Sequence, residues 1–201
     1  MWSGKKKKEK QILEDKPRLI GIGSTGHGVG CTHVSIMLLN YLSGCERRKA
    51  VLLEWNRSGD FEKLEKICTG KIREKKRFQV LDADYYKAAG PAELGEVLEC
   101  NFNDILIDFG VLREDCISEF MRCEEQLVVG SLSEWQEEAF RKFVKEHGTG
   151  KKSWKYIAAF GSEETRKEFM RRPGVAVERI PSSVDAFSVT KECSRFFTNL
   201  I

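Results

Sequence analysis

A chain of 201 residues with 41% hydrophobic and 32% charged side chains has the make-up of a folded globular protein, which excludes a disordered class. No apolar run approaches the ~20 residues that a membrane-crossing helix needs, and the length suits a single core around a central sheet. The formal charge of +3 is matched by residues 1–17, where six lysines face Glu9, Glu14 and Asp15, so the remainder is close to neutral and carries no strong nucleic-acid signal. Residues 1–17 therefore read as a flexible basic tail and residues 18–201 as one domain. Its run Lys5 to Lys8 lacks an apolar partner, which favours a solvated tail over contact with a membrane. Seven cysteines, scattered and odd in number, with no secretory leader, point to reduced thiols and a cytoplasmic location.

Residues 18–23 form a short apolar strand pattern and run into Gly23-Ser24-Thr25-Gly26-His27-Gly28-Val29-Gly30-Cys31-Thr32. Val34, Ile36, Met37, Leu38, Leu39, Tyr41 and Leu42 then predict a helix that is apolar on most sides, with Gly44 as its C-terminal cap. A strand follows at residues 50–56. Ser58 precedes a helix carrying Phe61, Leu64 and Ile67 that ends near Gly70, and a basic connector leads to an extended stretch at 78–81. Pro91 opens a helix with Leu94, Val97 and Leu98; strand 105–109 and a helix with Cys116, Ile117, Phe120 and Met121 come next. Further strands are predicted at 126–129, 156–160 and 175–180. They alternate with helices from Ser133 (where Ser133 to Gln136 fits a capping box), from Ser162, and on to Ile201. Such alternation predicts an α/β fold: a doubly wound, mostly parallel sheet with helices on both faces. Ligands of such sheets bind beyond the C-terminal ends of the strands. The glycine run, Glu54, Asn56 and Asp108 all fall there.

Strand, glycine-rich turn and helix in that order are the layout of a phosphate-binding P-loop, in which backbone N–H groups curl around phosphate oxygens at a helix N-terminus. A working P-loop has lysine where this chain has Cys31. Residues 26–32, G-H-G-V-G-C-T, resemble the deviant Walker A pattern K-G-G-x-G-K-[ST] of the ParA/MinD group of ATPases: Gly28, Gly30 and Thr32 match, while Gly26 and Cys31 replace the two lysines and His27 a glycine. Residues 103–110 resemble the Walker B strand of that group, ending in Asp108. Glu54 and Asn56 stand where it carries an aspartate-x-aspartate switch. Residues 180–187 resemble the segment after its last strand, where backbone and proline contact adenine. The resemblance runs in order through nearly the whole chain after residue 17, and the nearest branch looks like TadZ/CpaE, bacterial proteins that position Tad pilus or secretion machinery.

The resemblance implies ATP or ADP cradled by Gly26, His27, Gly28, Val29, Gly30, Cys31 and Thr32, with Pro181 at the base. Thr32 and Asp108 would hold Mg²⁺, and the partners would be a second copy of the chain and protein components of a pilus, secretion or positioning system. Loss of a cation aimed at transition-state charge costs about 3 kcal/mol or more, and the first lysine serves the partner subunit's nucleotide in the family. Both losses predict weak nucleotide binding with little or no hydrolysis, as in a pseudo-ATPase acting in localisation or assembly. Two other readings remain open: an interaction module with an empty nucleotide site, and an enzyme that uses Cys31 as a nucleophile beside His27 or His33. At the C-terminus, Cys193, Phe196, Phe197, Leu200 and Ile201 form one helical stripe, expected to pack on the sheet as a final layer in preference to binding lipid.

Overall fold

The computed structural model describes residues 16–147, 154–171 and 174–201. The basic run Lys5 to Lys8 lies outside them. Along the chain come β1 (Arg18–Ser24), α1 (Cys31–Asn40), β2 (Ala50–Glu54), α2 (Asp60–Thr69), β3 (Arg77–Val80), β4 (Ala83–Tyr86), α3 (Pro91–Leu98) and β5 (Asp104–Val111). They are followed by α4 (Glu114–Phe120), β6 (Glu125–Gly130), α5 (Glu137–His147), β7 (Trp154–Ala158), α6 (Glu163–Arg171), β8 (Val177–Arg179) and α7 (Lys191–Leu200). The strands make one sheet in the order β3-β4-β2-β5-β1-β6-β7-β8, parallel except for the β3–β4 hairpin. Strand order reverses at β1, so the sheet is doubly wound, as the alternation predicts.

Side chains alternate across each strand, and two cores result. On one face Ile20, Ile22, Leu52, Leu106, Leu127, Val129 and Ile157 pack under α1, α2 and α7. On the other Val51, Leu53, Ile105, Ile107, Val128 and Tyr156 pack under α3, α4, α5 and α6. The same two-residue period places Glu54 and Asp108 on the α1 side, two residues beyond Leu52 and Leu106. Every apolar register position before them holds the sheet down, and these acids occupy the first positions past it.

Three local expectations need correction. Gly44 does not cap α1: the chain continues through a π-helical turn, Tyr41–Cys45, closed by Glu46 N–H donating to the Tyr41 carbonyl at 3.1 Å. The Tyr41 hydroxyl, 2.8 Å from the Glu46 carboxylate, secures that wider turn. The stretch after residue 81 contains a strand that the sequence pattern did not separate, β4, whose Tyr85 stacks on Phe78 of β3 with ring centroids 5.2 Å apart. Ile67, expected on the buried stripe of α2, is exposed, because that helix packs inward through Phe61, Leu64 and the buried Glu65.

Buried ion pairs tie the periphery to the sheet. At the N-terminal end of β5, Asp104 accepts from Arg18 at 2.8 Å and also pairs with Arg48. Lys87, buried after β4, donates to Glu65 of α2 at 2.6 Å and to the Arg73 carbonyl at 2.7 Å, locking the basic connector against the hairpin.

The C-terminal stripe packs inward. Cys193, Phe197 and Leu200 are buried against the α1 face, and Phe197 meets the Tyr41 ring at a centroid distance of 5.5 Å. Thr190 caps α7 by accepting from Cys193 N–H. Among the described residues no helix is long and apolar enough to cross a membrane. Phe197→Ala should lower the unfolding free energy by about 3–5 kcal/mol, the usual cost of emptying a fully buried aromatic site; equilibrium denaturation with urea measures it.

Candidate functional site

Gly28 and Gly30 hold φ of 72° and 93°, a left-handed backbone that side chains with a Cβ resist. That geometry turns the chain between β1 and α1. The turn is anchored at its start, where Thr25 N–H donates to the Val129 carbonyl at 3.0 Å, and on its outer side, where the Gln136 amide donates to the His27 carbonyl at 3.1 Å. Among the described residues the N–H groups from Gly26 through Thr32 find no acceptor; the first bond of the helix is Val34 N–H to the Gly30 carbonyl. The α1 N-terminus also has no side-chain cap and no acid in its first turn, whereas each of the other helices carries at least one. Unpaired donors and an uncompensated helix dipole together make a site for an anion.

Beneath the turn lies Asp108, fully buried in β5 three residues before the strand ends. Its carboxylate accepts from the Thr32 hydroxyl at 2.7 Å, the Gly110 N–H at 2.9 Å and the Cys31 thiol at 3.3 Å. Burial pushes the Asp108 carboxyl above the ordinary range, the Thr32, Gly110 and Cys31 donors pull it back, and nearby Glu54 raises it again. Burial, followed by the adjacent Asp108 charge, pushes the Cys31 thiol well up. Cys31 is therefore a protonated hydrogen-bond donor, and the thiolate that a cysteine-dependent enzyme would need is disfavoured. The Thr32–Asp108 pair fits a magnesium site: the hydroxyl lines the cavity and could ligate the ion directly, while the buried carboxylate behind it could hold a metal-bound water.

The cavity in front of the turn has a volume of about 830 Å³. Ser24 and the glycine-loop residues from Gly26 to His33 form one wall, and residues 55–58, 60, 88–91, 109–111, 113, 115 and 116 contribute the rest. Glu54 and Asn56 shape these walls. The buried Glu54 carboxylate accepts from Ser58 Oγ, Phe61 N–H and Ala88 N–H, each at 3.1 Å, so it folds two loops together and does not line the cavity. Asn56 donates to the Asp108 carbonyl at 3.0 Å and accepts from Ser58 N–H at 2.9 Å. Its side chain would lie only 3.2 Å from a Cβ on Gly110, whose φ is 62°.

The structure thus brings Gly26, His27, Gly28, Val29, Gly30, Cys31 and Thr32 to one cavity, with Asp108 directly behind it. Pro181, after β8, does not line it. Among the described residues no three His, Cys, Asp or Glu side chains converge as a metal cluster. Sequence reasoning missed Gln136, read as half of a capping box. Its amide instead reaches the glycine turn, and α5 starts one residue later, at Glu137. It also missed Arg57 and Arg113, which line the cavity. Their positions directly after Asn56 and five residues past Asp108 were the available signal.

No protein-family model matches the chain, and no curated protein matches it in sequence. Solved structures do match in shape. A ParA family ATPase from Chlorobium tepidum superimposes with a TM-score of 0.62 at 15% identity, over 90% of this chain and 97% of that one. A putative plasmid partition protein from Borrelia burgdorferi, bound to AMPPNP, gives 0.64 at 18% identity over 92% and 96%. A chain of the Aquifex aeolicus MinC:MinD cell division protein complex gives 0.59 at 14% over 89% and 86%, and the Pyrococcus furiosus cell division ATPase MinD gives 0.59 at 17% over 91% and 96%. The chain has the fold of the ParA and MinD ATPases.

Within this ParA/MinD fold the Asp108 node sets a pH dependence. A carboxyl raised in the folded state and ordinary (about 3.9) in the unfolded state binds more protons when folded. Its contribution to stability is full below the unfolded value and is lost as pH rises through the folded one. Asp108→Asn should remove that decline, so its urea-unfolding free energy should fall less than wild type between pH 4 and pH 7; parallel pH series of denaturation curves measure the difference.

Proposed function

We propose that this protein is a degenerate ParA/MinD-like P-loop protein that binds ATP or ADP weakly at the glycine loop, hydrolyses it little or not at all, and acts as a localisation or assembly factor. The observation that carries the reading is the run of unpaired N–H groups from Gly26 to Thr32 at a helix end free of acid. Those groups suit phosphate oxygens, and the cavity before them has room for a nucleotide. Magnesium, where bound, neutralises phosphate charge; Thr32 would ligate it and Asp108 would orient its water. The glycine loop itself supplies no side-chain cation to stabilise charge on a departing phosphate, since Cys31 turns down toward Asp108 and Gly26 has no side chain.

The wider role is drawn from the neighbours in shape and from the degraded motifs. A cytoplasmic protein with a single domain over residues 18–201, paired with a second copy and acting on protein components of a positioning or Tad pilus and secretion system, fits a TadZ/CpaE-like branch. The plasmid partition protein and the MinC:MinD complex among the neighbours support a positioning role. One feature favours the alternative of an interaction module with an empty site: Asp108 already has three donors without any ligand, so the node is satisfied when nothing is bound.

Titration with a fluorescent ATP analogue, with and without Mg²⁺, separates the two. Saturable binding that Mg²⁺ strengthens is expected, together with phosphate release about a hundredfold or more below that of a lysine-bearing relative. Turnover equal to such a relative would overturn the reading, and absence of binding would favour the empty site. Cys31→Lys should tighten nucleotide binding about tenfold by adding a cation at the loop. Unchanged affinity in the titration would count against phosphate binding there.

A further inference from the structure

Resting on the nucleotide reading above, we infer that Arg57 and Arg113 supply the positive charge missing from the glycine loop and grip the outer phosphates of a nucleoside triphosphate seated on it. Both residues line the cavity, from two different loops that follow neighbouring strands. Arg57 lies between β2 and α2, Arg113 between β5 and α4. They are the arginines of that lining, and it contains no lysine. Among the described residues neither guanidinium has an ion-pair partner, in contrast to Arg18, Arg48, Arg77, Arg122, Arg141 and Arg166, each of which does.

The two arginines stand on built supports. On either side of Arg57, Asn56 is tied to the Asp108 carbonyl and Ser58 to Glu54, so the backbone carrying this side chain is held at both neighbours. Arg113 follows Leu112, whose N–H donates to the Ser24 carbonyl at 2.9 Å, and its own carbonyl accepts from Ile117 N–H at 3.0 Å at the start of α4. Two acids also line the cavity. Asp60 is neutralised by Lys63 at 2.8 Å, which leaves Asp115 as the one acid there without an ion-pair partner among the described residues. Two unpaired guanidinium groups against one unpaired carboxylate leave the mouth net positive, facing the anion-binding turn. A planar guanidinium with several donors suits phosphate oxygens, and two can divide the charge that one lysine would otherwise hold.

The test is titration of mant-ATP and mant-AMP into the full chain, with thermal melting to confirm that each variant is folded. Arg57→Ala and Arg113→Ala should each weaken mant-ATP about tenfold or more while changing mant-AMP less than about twofold. Arg57→Lys should recover part of the loss, and Asp115→Asn should tighten mant-ATP. Folded alanine variants that bind mant-ATP as tightly as wild type would overturn the arginine assignment and leave the nucleotide reading standing. Equal losses for both ligands would overturn it as well, since the side chains would then be shaping the pocket and not reading the outer phosphates. Wild-type protein that binds neither ligand would overturn both readings together.

Discussion

The Asp108 carboxylate is the point on which the candidate site hangs. It is buried in the second half of a central strand, where an unpaired charge would cost several kcal/mol, and three donors from two separate segments converge on it. Thr32 and Cys31 come from the first turn of α1, Gly110 from the strand's own continuation. Satisfying Asp108 therefore sets the depth at which α1 begins, and with it the height of the glycine turn above the sheet. The β1–β5 register shifts between Ile22 and Gly23, just at this level, so that Gly23 lies beside Gly110 and Phe109 is the extra residue. That irregularity lets Gly110 turn its N–H back onto the carboxylate.

Glu54 repeats the device one strand away. It is the register partner of Asp108 in the β2–β5 pairing, and it too is buried with its oxygens engaged. The division of labour is clear from the donors. Asp108 organises the loop that would meet phosphate, while Glu54 organises the two loops that wall the cavity. The Glu54 carboxylate lies at the base of α2, outside the cavity lining, where it holds the Ser58 hydroxyl and the N–H groups of Phe61 and Ala88.

Much of this architecture was legible in the amino-acid sequence because apolar periodicity reports burial directly. Strands such as β2 and β6 are apolar on both faces, and the glycine run between an apolar strand and an apolar helix has few other readings. What escaped was set by tertiary context. The β3–β4 hairpin is short and bends at Leu81, a non-glycine residue with φ of 54°, so no glycine or proline marks the turn. The π-helical turn depends on a contact between Tyr41 and Glu46 that spacing alone does not signal. Gln136 satisfies the pattern of a cap and yet bonds across 109 positions of chain to the glycine turn. Arg57 and Arg113 lie in loops without periodicity, and only the folded cavity shows that they share it. Asp108, expected from the sequence to hold a metal, lies directly behind the glycine turn, but the use of Cys31 as its third donor could not be read from residue type.

The two borders of the sheet set limits on how copies of this chain can associate. At one border β3 has four residues, follows Lys75 and Lys76, and exposes Arg77 and Gln79; at the other β8 has three residues and exposes Glu178 and Arg179. Short strands with outward charge are poor templates for a neighbouring strand, because a continued ladder would bring those charges together with few backbone bonds in return. Extension of the sheet from one molecule into the next is thus discouraged at both ends. Association, where it occurs, is left to the loop-bearing end of the sheet or to the outer faces of the helices, surfaces whose contacts can be made and released without unzipping a strand.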